Sequence, residues 1–108
     1  MIYELRVYEV APGRMADLHA RFREHTLQIF QRHGIKPIAF FTSSIGASTD
    51  RLTYVIEFQD LAHREKAWSS FLRDPEWKAI SDESNKPRQL VLRLTSQIYE
   101  PTDYSPLS

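Results

Sequence analysis

The sequence contains no cysteine and only three glycines, and it has no long hydrophobic run. The missing thiols exclude disulfide bridges, thiolate zinc sites and cysteine nucleophiles. The glycines are scattered, so no glycine-rich loop could cradle a phosphate group. No segment approaches the ~18 apolar residues of a membrane-spanning helix, and the first residues lack a basic, apolar targeting segment. We therefore expect a cytoplasmic protein that does not insert into a membrane.

Charge is balanced, with 14 basic and 14 acidic side chains in 108 residues. A net charge of zero argues against a nucleic-acid-binding surface, because phosphate backbones are bound by an excess of positive charge. Leu, Ile, Val and Phe make up about a quarter of the chain, which suffices for a core and excludes a disordered polypeptide. The helix arginines, including Arg21 and Arg64, are expected to lie on solvated faces.

The spacing of apolar residues predicts four strands and two main helical segments. Alternation with a period of two marks strands at residues 1–10, 36–44, 52–58 and 89–99. Helical spacing marks residues 15–33, and Asp60 and Asp74 are typical N-caps for a second segment made of a helix and a short helical appendix. The order βαββαβ predicts an α+β, ferredoxin-like sandwich whose antiparallel sheet has the strand order fourth, first, third, second. We assign residues 1–100 to this domain and residues 101–108 to an extended C-terminal tail.

The face of the sheet that the helices leave bare is the predicted dimer interface. We expect aromatic, aliphatic and charged side chains to mix on this face, which is unusual for a surface open to water. Such a surface is typical of contact between two copies, whose sheets would close an eight-stranded barrel. The predicted interface residues are Arg6, Tyr8, Val55, Glu57 and Arg93. The alternative for the charged members is a set of cross-strand ion pairs within one subunit.

His25 is the candidate catalytic residue, because it continues the spacing of apolar residues along the first helix. A buried imidazole needs a hydrogen-bond partner, and it can act as a general acid or base. Tyr3, Tyr54 and Trp77 are expected to line the same helix–sheet cleft and to bind a ligand together with His25. The alternatives are a satisfied core histidine and aromatic side chains that only fill the core. No residue spacing is typical of a metal site, so no metal ion is expected.

Several short motifs follow one another through nearly the whole chain. They are Tyr3-Glu4-Leu5-Arg6-Val7-Tyr8 with Pro12-Gly13, then His33-Gly34, Phe58-Gln59-Asp60 before Arg64-Glu65-Lys66-Ala67-Trp68, Asp74-Pro75-Glu76-Trp77, and the ending Pro101-Thr102-Asp103-Tyr104-Ser105-Pro106-Leu107. This ordered set resembles the NIPSNAP family. The resemblance implies a dimeric α/β barrel of ferredoxin-like subunits, and it brings no secure reaction with it. Relatives of this fold usually hold a ligand in a cleft between helices and sheet.

The residues favour a homodimeric barrel that binds a small, partly apolar molecule and that needs no cofactor if it is an enzyme. In that case His25 would transfer a proton, and Tyr54 or Tyr3 would donate a hydrogen bond. The alternative is a non-catalytic protein-interaction module whose function is dimerisation and partner binding. Haem-linked oxygen chemistry is a third hypothesis, in which His25 is the proximal ligand.

Overall fold

The computed structural model describes residues 1–107 and shows the ferredoxin-like βαββαβ arrangement. The strands are β1 (Ile2–Val10), β2 (Lys36–Thr42), β3 (Arg51–Phe58) and β4 (Val91–Tyr99). The first helical segment consists of α1 (Met15–Arg21), a π-helical turn (Phe22–Thr26) and α2 (Leu27–Arg32), and the second consists of α3 (Leu61–Leu72) and α4 (Pro75–Ser84). Neighbouring strands are antiparallel in the order β2-β3-β1-β4, which confirms the predicted topology.

The C-terminal residues 101–107 form neither helix nor strand. The division into a domain of residues 1–100 and a tail of residues 101–108 stays a prediction, and Ser108 lies outside the described residues. Within residues 1–107, no helix is both long enough and apolar enough to cross a membrane. The cytoplasmic location stays a prediction.

The hydrophobic core lies between one face of the sheet and both helical segments. In β3 the buried side chains are Leu52, Tyr54, Ile56 and Phe58, and they alternate with partly exposed ones. This alternation follows from the pleat, which points successive side chains to opposite faces. Phe30 of α2 packs on this face, with its ring centroid 6.4 Å from that of Tyr54.

The side of β1 that faces the helices is opposite to the predicted side. The register pairs Arg6 with Tyr54 and Tyr8 with Leu52, and residues that oppose each other in an antiparallel pair share a face. The predicted placement of Arg6 and Tyr8 on the bare face, as dimer-interface residues, is therefore wrong. The prediction assumed that the charged residues of β1 lie on the face away from the helices, whereas Glu4 and Arg6 lie on the helix side with partners that compensate their charge.

The other three predicted interface residues, Val55, Glu57 and Arg93, lie on the face that the helices leave bare. Val55 pairs with Leu5 on this face, and both are partly exposed. Phe41 of β2 lies on the same face and is 57% exposed. The bare face therefore mixes apolar and charged side chains as predicted, but with a different set of residues from β1.

An extra residue is accommodated in the middle of the first helical segment. The backbone N–H of Leu27 donates to the Phe22 carbonyl, and the Thr26 hydroxyl donates to the Arg21 carbonyl at 3.3 Å. The backbone bond spans five residues, as in a π-helix, instead of the four of an α-helix, and the side-chain bond of Thr26 covers the same interval. The extra residue changes the phase of the helix, so Thr26 and not His25 follows Phe22 on the buried face.

Two of the predicted helix starts are confirmed by their caps. The Asp60 carboxylate accepts a hydrogen bond from the backbone N–H of His63 at 2.8 Å. The Asp74 carboxylate accepts one from the backbone N–H of Glu76 at 2.8 Å, and Pro75 is the first residue of α4. These side chains satisfy amide groups that have no partner within the helix.

Asp60→Ala should lower the free energy of unfolding by about 1 kcal/mol, because it removes the acceptor for an amide in the first turn of α3. Asp60→Asn should stay within about 0.5 kcal/mol of the parent, since asparagine is an equally good N-cap. Urea denaturation at neutral pH measures both values. An equal loss in the two variants would show that the charge of Asp60, and not its capping bond, stabilises the helix.

Candidate ligand-binding cleft

A cleft of about 510 Å³ lies between the helical segments and the β1–β4 side of the sheet. The cleft is open because β4 is an edge strand that no helix covers, and all its residues after Val91 are exposed. The lining side chains include Arg6, Tyr8, Arg21, Phe22, Thr26, Phe30, Arg64, Glu65, Trp68, Phe71, Trp77, Ser81, Asn85 and Leu94. A cleft of this size, with apolar walls and a few polar groups, is typical of small-molecule sites.

A buried carboxylate, that of Glu4, lies beneath the floor of the cleft. It accepts hydrogen bonds from Arg6 Nη1 at 3.0 Å, Arg64 Nε at 2.9 Å, Trp68 Nε1 at 2.9 Å and Ser96 Oγ at 2.5 Å. Burial alone raises the pKa of Glu4, but the hydrogen bonds outweigh it and lower the pKa to about 2. The carboxylate is therefore charged at neutral pH and fully hydrogen-bonded, although no part of it is exposed.

Arg6 is held in the floor of the cleft by three partners. Besides Glu4, its guanidinium donates to the Tyr54 hydroxyl at 2.8 Å and to the Tyr8 hydroxyl at 3.5 Å, and it lies 4.4 Å from the centroid of the Trp68 ring. The two phenol oxygens are 2.7 Å apart. Burial alone would lower the pKa of Arg6. The charges and hydrogen bonds of these neighbours outweigh burial, so the pKa of Arg6 lies above its ordinary value. Burial also raises the pKa of the Tyr54 phenol well above its ordinary value.

Arg21, the last residue of α1, borders the cleft from the helix side. Only 8% of it is exposed. Its Nη1 donates to the Ser84 hydroxyl at 3.0 Å, and its guanidinium carbon lies 5.1 Å from the centroid of the Trp77 ring. Its Nε has no hydrogen-bond partner among residues 1–107. Burial lowers the pKa of Arg21, although a guanidinium keeps its proton in proteins.

Four aromatic side chains form the wall that faces Arg6 and Arg21. The Phe71 ring centroid lies 5.0 Å from that of Phe30, 5.5 Å from that of Trp68 and 4.7 Å from that of Trp77. The planes are tilted or perpendicular, which are the arrangements that aromatic rings prefer. The wall is therefore rigid, and it presents apolar ring surface next to two cationic side chains.

Comparison with other proteins identifies the family. A NIPSNAP family model matches residues 3–106. The chain belongs to the NIPSNAP family. Its structure is similar to a NIPSNAP family protein with unknown function from Agrobacterium tumefaciens, with 22% identity, a TM-score of 0.89 and coverage of 100% of this chain and 94% of that chain. It is also similar to an uncharacterised NIPSNAP-like domain protein from Burkholderia xenovorans, with 24% identity, a TM-score of 0.86 and coverage of 97% and 88%.

The fold extends beyond the NIPSNAP proteins. A putative antibiotic biosynthesis monooxygenase from Bordetella bronchiseptica is similar with 16% identity, a TM-score of 0.67 and coverage of 94% of this chain and 96% of that chain. At such identities the likeness shows the fold and not the chemistry. No curated protein matches the chain.

In this NIPSNAP family member, the cleft brings together only part of the predicted ligand-binding set. Trp77 lines it, and Tyr54 lies directly beneath Arg6 and Tyr8. Tyr3 does not line it, because Tyr3 pairs with Glu57 on the other face of the sheet and its hydroxyl lies 3.5 Å from the Glu57 carboxylate. The predicted placement of Tyr3 in the cleft is wrong, and the ligand contacts of Trp77 and Tyr54 stay predictions.

His25 does not lie between helix and sheet. It borders a separate groove of about 340 Å³ with Glu24, Ile80 and Glu83, and it does not line the cleft. The predicted placement of His25 in the cleft is wrong, because the π-helical turn gives its position on the buried face to Thr26. No catalytic role in the cleft can be assigned to it. Among residues 1–107, no group of three or more His, Asp or Glu side chains could hold a metal ion.

Sequence patterns missed the polar residues that define the cleft. Arg21 and Arg64 were expected on solvated faces, but Arg21 is buried and Arg64 donates to the buried Glu4. One signal for Arg21 was available: it follows Leu18 by three residues and precedes Phe22, which places it on the apolar side of α1. No comparable signal exists for Glu4, because its partners come from distant parts of the chain.

Glu4→Gln should lower the free energy of unfolding at pH 7 by about 3 kcal/mol, because it leaves the largely buried Arg6 without its counter-charge and removes one of the two carboxylate partners of Arg64. The matched control is Glu65→Gln, which also removes a partner of Arg64. The Glu65 side chain is 69% exposed, so this control should change stability by less than about 0.5 kcal/mol. Urea denaturation measures both, and equal values would contradict the structural role of Glu4.

The same variant tests the pH dependence. Glu4 keeps its charge in the folded state down to about pH 2, whereas an unfolded glutamate takes up its proton near 4.5. Its contribution, at most about 3 kcal/mol, is therefore complete above pH 4.5 and is lost as the pH falls toward 2. The difference in stability between the parent and Glu4→Gln should shrink over this range. A difference that stays constant down to pH 2 would show that the carboxylate is not the stabilising group.

Proposed function

We propose that this protein binds a small, partly apolar molecule in the cleft between its helices and its sheet. The observation that carries the proposal is the combination of a rigid aromatic wall with a floor of hydrogen-bond donors that their neighbours fix in position. The aromatic wall supplies apolar contact area. The polar floor fixes the orientation of a ligand, as in other small-molecule sites.

The charges of the floor favour binding over acid–base catalysis. At neutral pH, Glu4 remains ionised and Arg6 and Tyr54 remain protonated, because their pKa values lie well away from neutrality. A group that transfers protons needs a pKa near the working pH. These three groups therefore fix the shape and charge of the floor and do not transfer protons at neutral pH. A reaction in the cleft would need the ligand to supply the groups that react.

The neutral dye N-phenyl-1-naphthylamine should bind in the cleft and fluoresce more strongly there than in water. Ser81→Trp places a large ring in the cleft, because Ser81 lines it. This variant should weaken the binding of the dye at least tenfold. The matched control is Ala79→Trp, since Ala79 lies on the same helix, is exposed and does not line the cleft. Equal dye binding by the parent and both variants would contradict the proposal and favour a non-catalytic interaction module.

We also propose that two copies of the chain form a homodimer through the bare face of the sheet. Leu5, Val7 and Val55 lie together on this face, and Phe41 at its edge is 57% exposed. Contiguous apolar patches of this kind mark interaction sites on proteins. The side chains of the two bare faces would then pack against each other between the two sheets. Glu57 and Arg93 would lie at this contact, as the sequence predicts.

Val55→Asp should convert the dimer to a monomer of 12.7 kDa, because a carboxylate would be buried in the apolar contact. Ala79→Asp introduces the same charge on the exposed side of α4 and should leave the dimer intact. Light scattering coupled to size-exclusion chromatography measures both masses. A parent protein that elutes as a monomer at micromolar concentration would contradict the dimer.

A further inference from the structure

Arg21 is the one cation at the cleft without a counter-charge among the described residues. Arg6 and Arg64 both donate to Glu4, and Arg64 also pairs with Glu65 at 2.6 Å. No carboxylate of residues 1–107 lies within 4.0 Å of the Arg21 guanidinium. The charged side chains at the cleft are thus three arginines against two glutamates, and the excess positive charge is located at Arg21.

Arg21 also makes few hydrogen bonds within residues 1–107. A guanidinium has five N–H donors, yet the one side-chain bond of Arg21 within residues 1–107 is that from Nη1 to the Ser84 hydroxyl. Its Nε is buried and has no hydrogen-bond partner in the described part of the chain. Buried cations are normally paired and buried donors are normally hydrogen-bonded, because leaving them without partners costs free energy. Arg21 is more than nine-tenths buried, yet among residues 1–107 it has no counter-charge and its Nε has no acceptor.

We propose that Arg21 anchors a carboxylate group, so that the ligands of the cleft are planar, apolar monocarboxylic acids. This inference rests on the proposed function and names its ligand class. A guanidinium matches a carboxylate with two parallel N–H donors, which gives both charge and orientation. A single unbalanced positive charge is matched by a ligand with one negative charge.

The surroundings of Arg21 fit the apolar part of such a ligand. Its guanidinium carbon lies 5.1 Å from the centroid of the Trp77 ring, and that ring lies 4.7 Å from Phe71 in the aromatic wall. A carboxylate on Arg21 would therefore direct the rest of the molecule along this wall. Arg6 is a weaker competitor for the carboxylate, because its charge is already paired with Glu4 and each of its three nitrogens already has a partner.

The acidic residues on the other side of Arg21 do not replace a ligand. Arg21 also borders the groove that contains Glu24 and Glu83, but neither forms an ion pair with it. Arg14, which borders the same groove, is paired with Asp17 at 3.0 Å. A purely structural Arg21 would be expected to use one of these carboxylates, and it does not.

The test compares two probes of equal size, 2-naphthoate and the uncharged 2-naphthamide, by isothermal titration calorimetry with the full chain. The parent should bind 2-naphthoate at least tenfold more tightly than 2-naphthamide. Arg21→Met should remove this preference by weakening 2-naphthoate at least tenfold, with 2-naphthamide changed less than twofold. The matched control is Arg23→Met, which removes an exposed arginine two residues away that does not line the cleft. It should behave as the parent.

The outcomes separate this inference from the proposed function. Equal binding of the two probes by the parent would overturn the role of Arg21 while the cleft remained a ligand site. Binding of neither probe would overturn both proposals. Arg21→Met should also be at least as stable as the parent in urea, because it removes an unpaired buried charge. Unfolding of Arg21→Met would show that Arg21 has a structural role and would contradict its role as a carboxylate anchor. The comparison of 2-naphthoate with 2-naphthamide in the parent does not depend on this variant.

Discussion

The buried carboxylate of Glu4 is the interaction on which the cleft depends. Its donors come from three elements: Arg6 from β1, Ser96 from β4, and Arg64 and Trp68 from α3. The charge of Glu4 therefore holds the edge strand β4 and the helix α3 in place against β1. A buried charge is tolerated only when its partners satisfy it completely, and here the four partners are held by three different elements of the fold.

The network around Glu4 also decides which groups remain free to meet a ligand. Arg6, Tyr8 and Tyr54 bind one another, so they form a fixed surface whose charge is neutralised from below. Arg21 also lines the cleft, but among residues 1–107 its one side-chain hydrogen bond is to Ser84, outside this network. The cleft thus has a floor whose charge is neutralised and one cation without a counter-charge among residues 1–107. For this reason we expect it to bind anionic ligands in preference to apolar molecules in general.

The fold could be predicted from the sequence because it depends on local signals that agree with one another. The alternation in β3, the caps Asp60 and Asp74, and the element order all point to the ferredoxin-like sandwich, and the structure has it. The site could not be predicted in the same way. Glu4 and Arg6 are buried in a strand whose alternation looks reversed, since hydropathy patterns count a charge as exposed and cannot recognise partners 60 or more residues away.

The error at His25 has a different origin, because a regular α-helix was assumed where a backbone hydrogen bond spans five residues instead of four. The π-helical turn at Phe22–Thr26 shifts the orientation of α2 relative to that of α1. Each residue of an α-helix advances the rotation by ~100°, so an inserted residue turns all that follows by that angle. α1 can present Arg21 to the cleft while α2 presents Phe30 to the core. A homologous chain without the inserted residue could not keep both of these orientations. The presence of the π-helical turn in a distant homologue should therefore indicate that its cleft also contains an arginine at the position of Arg21.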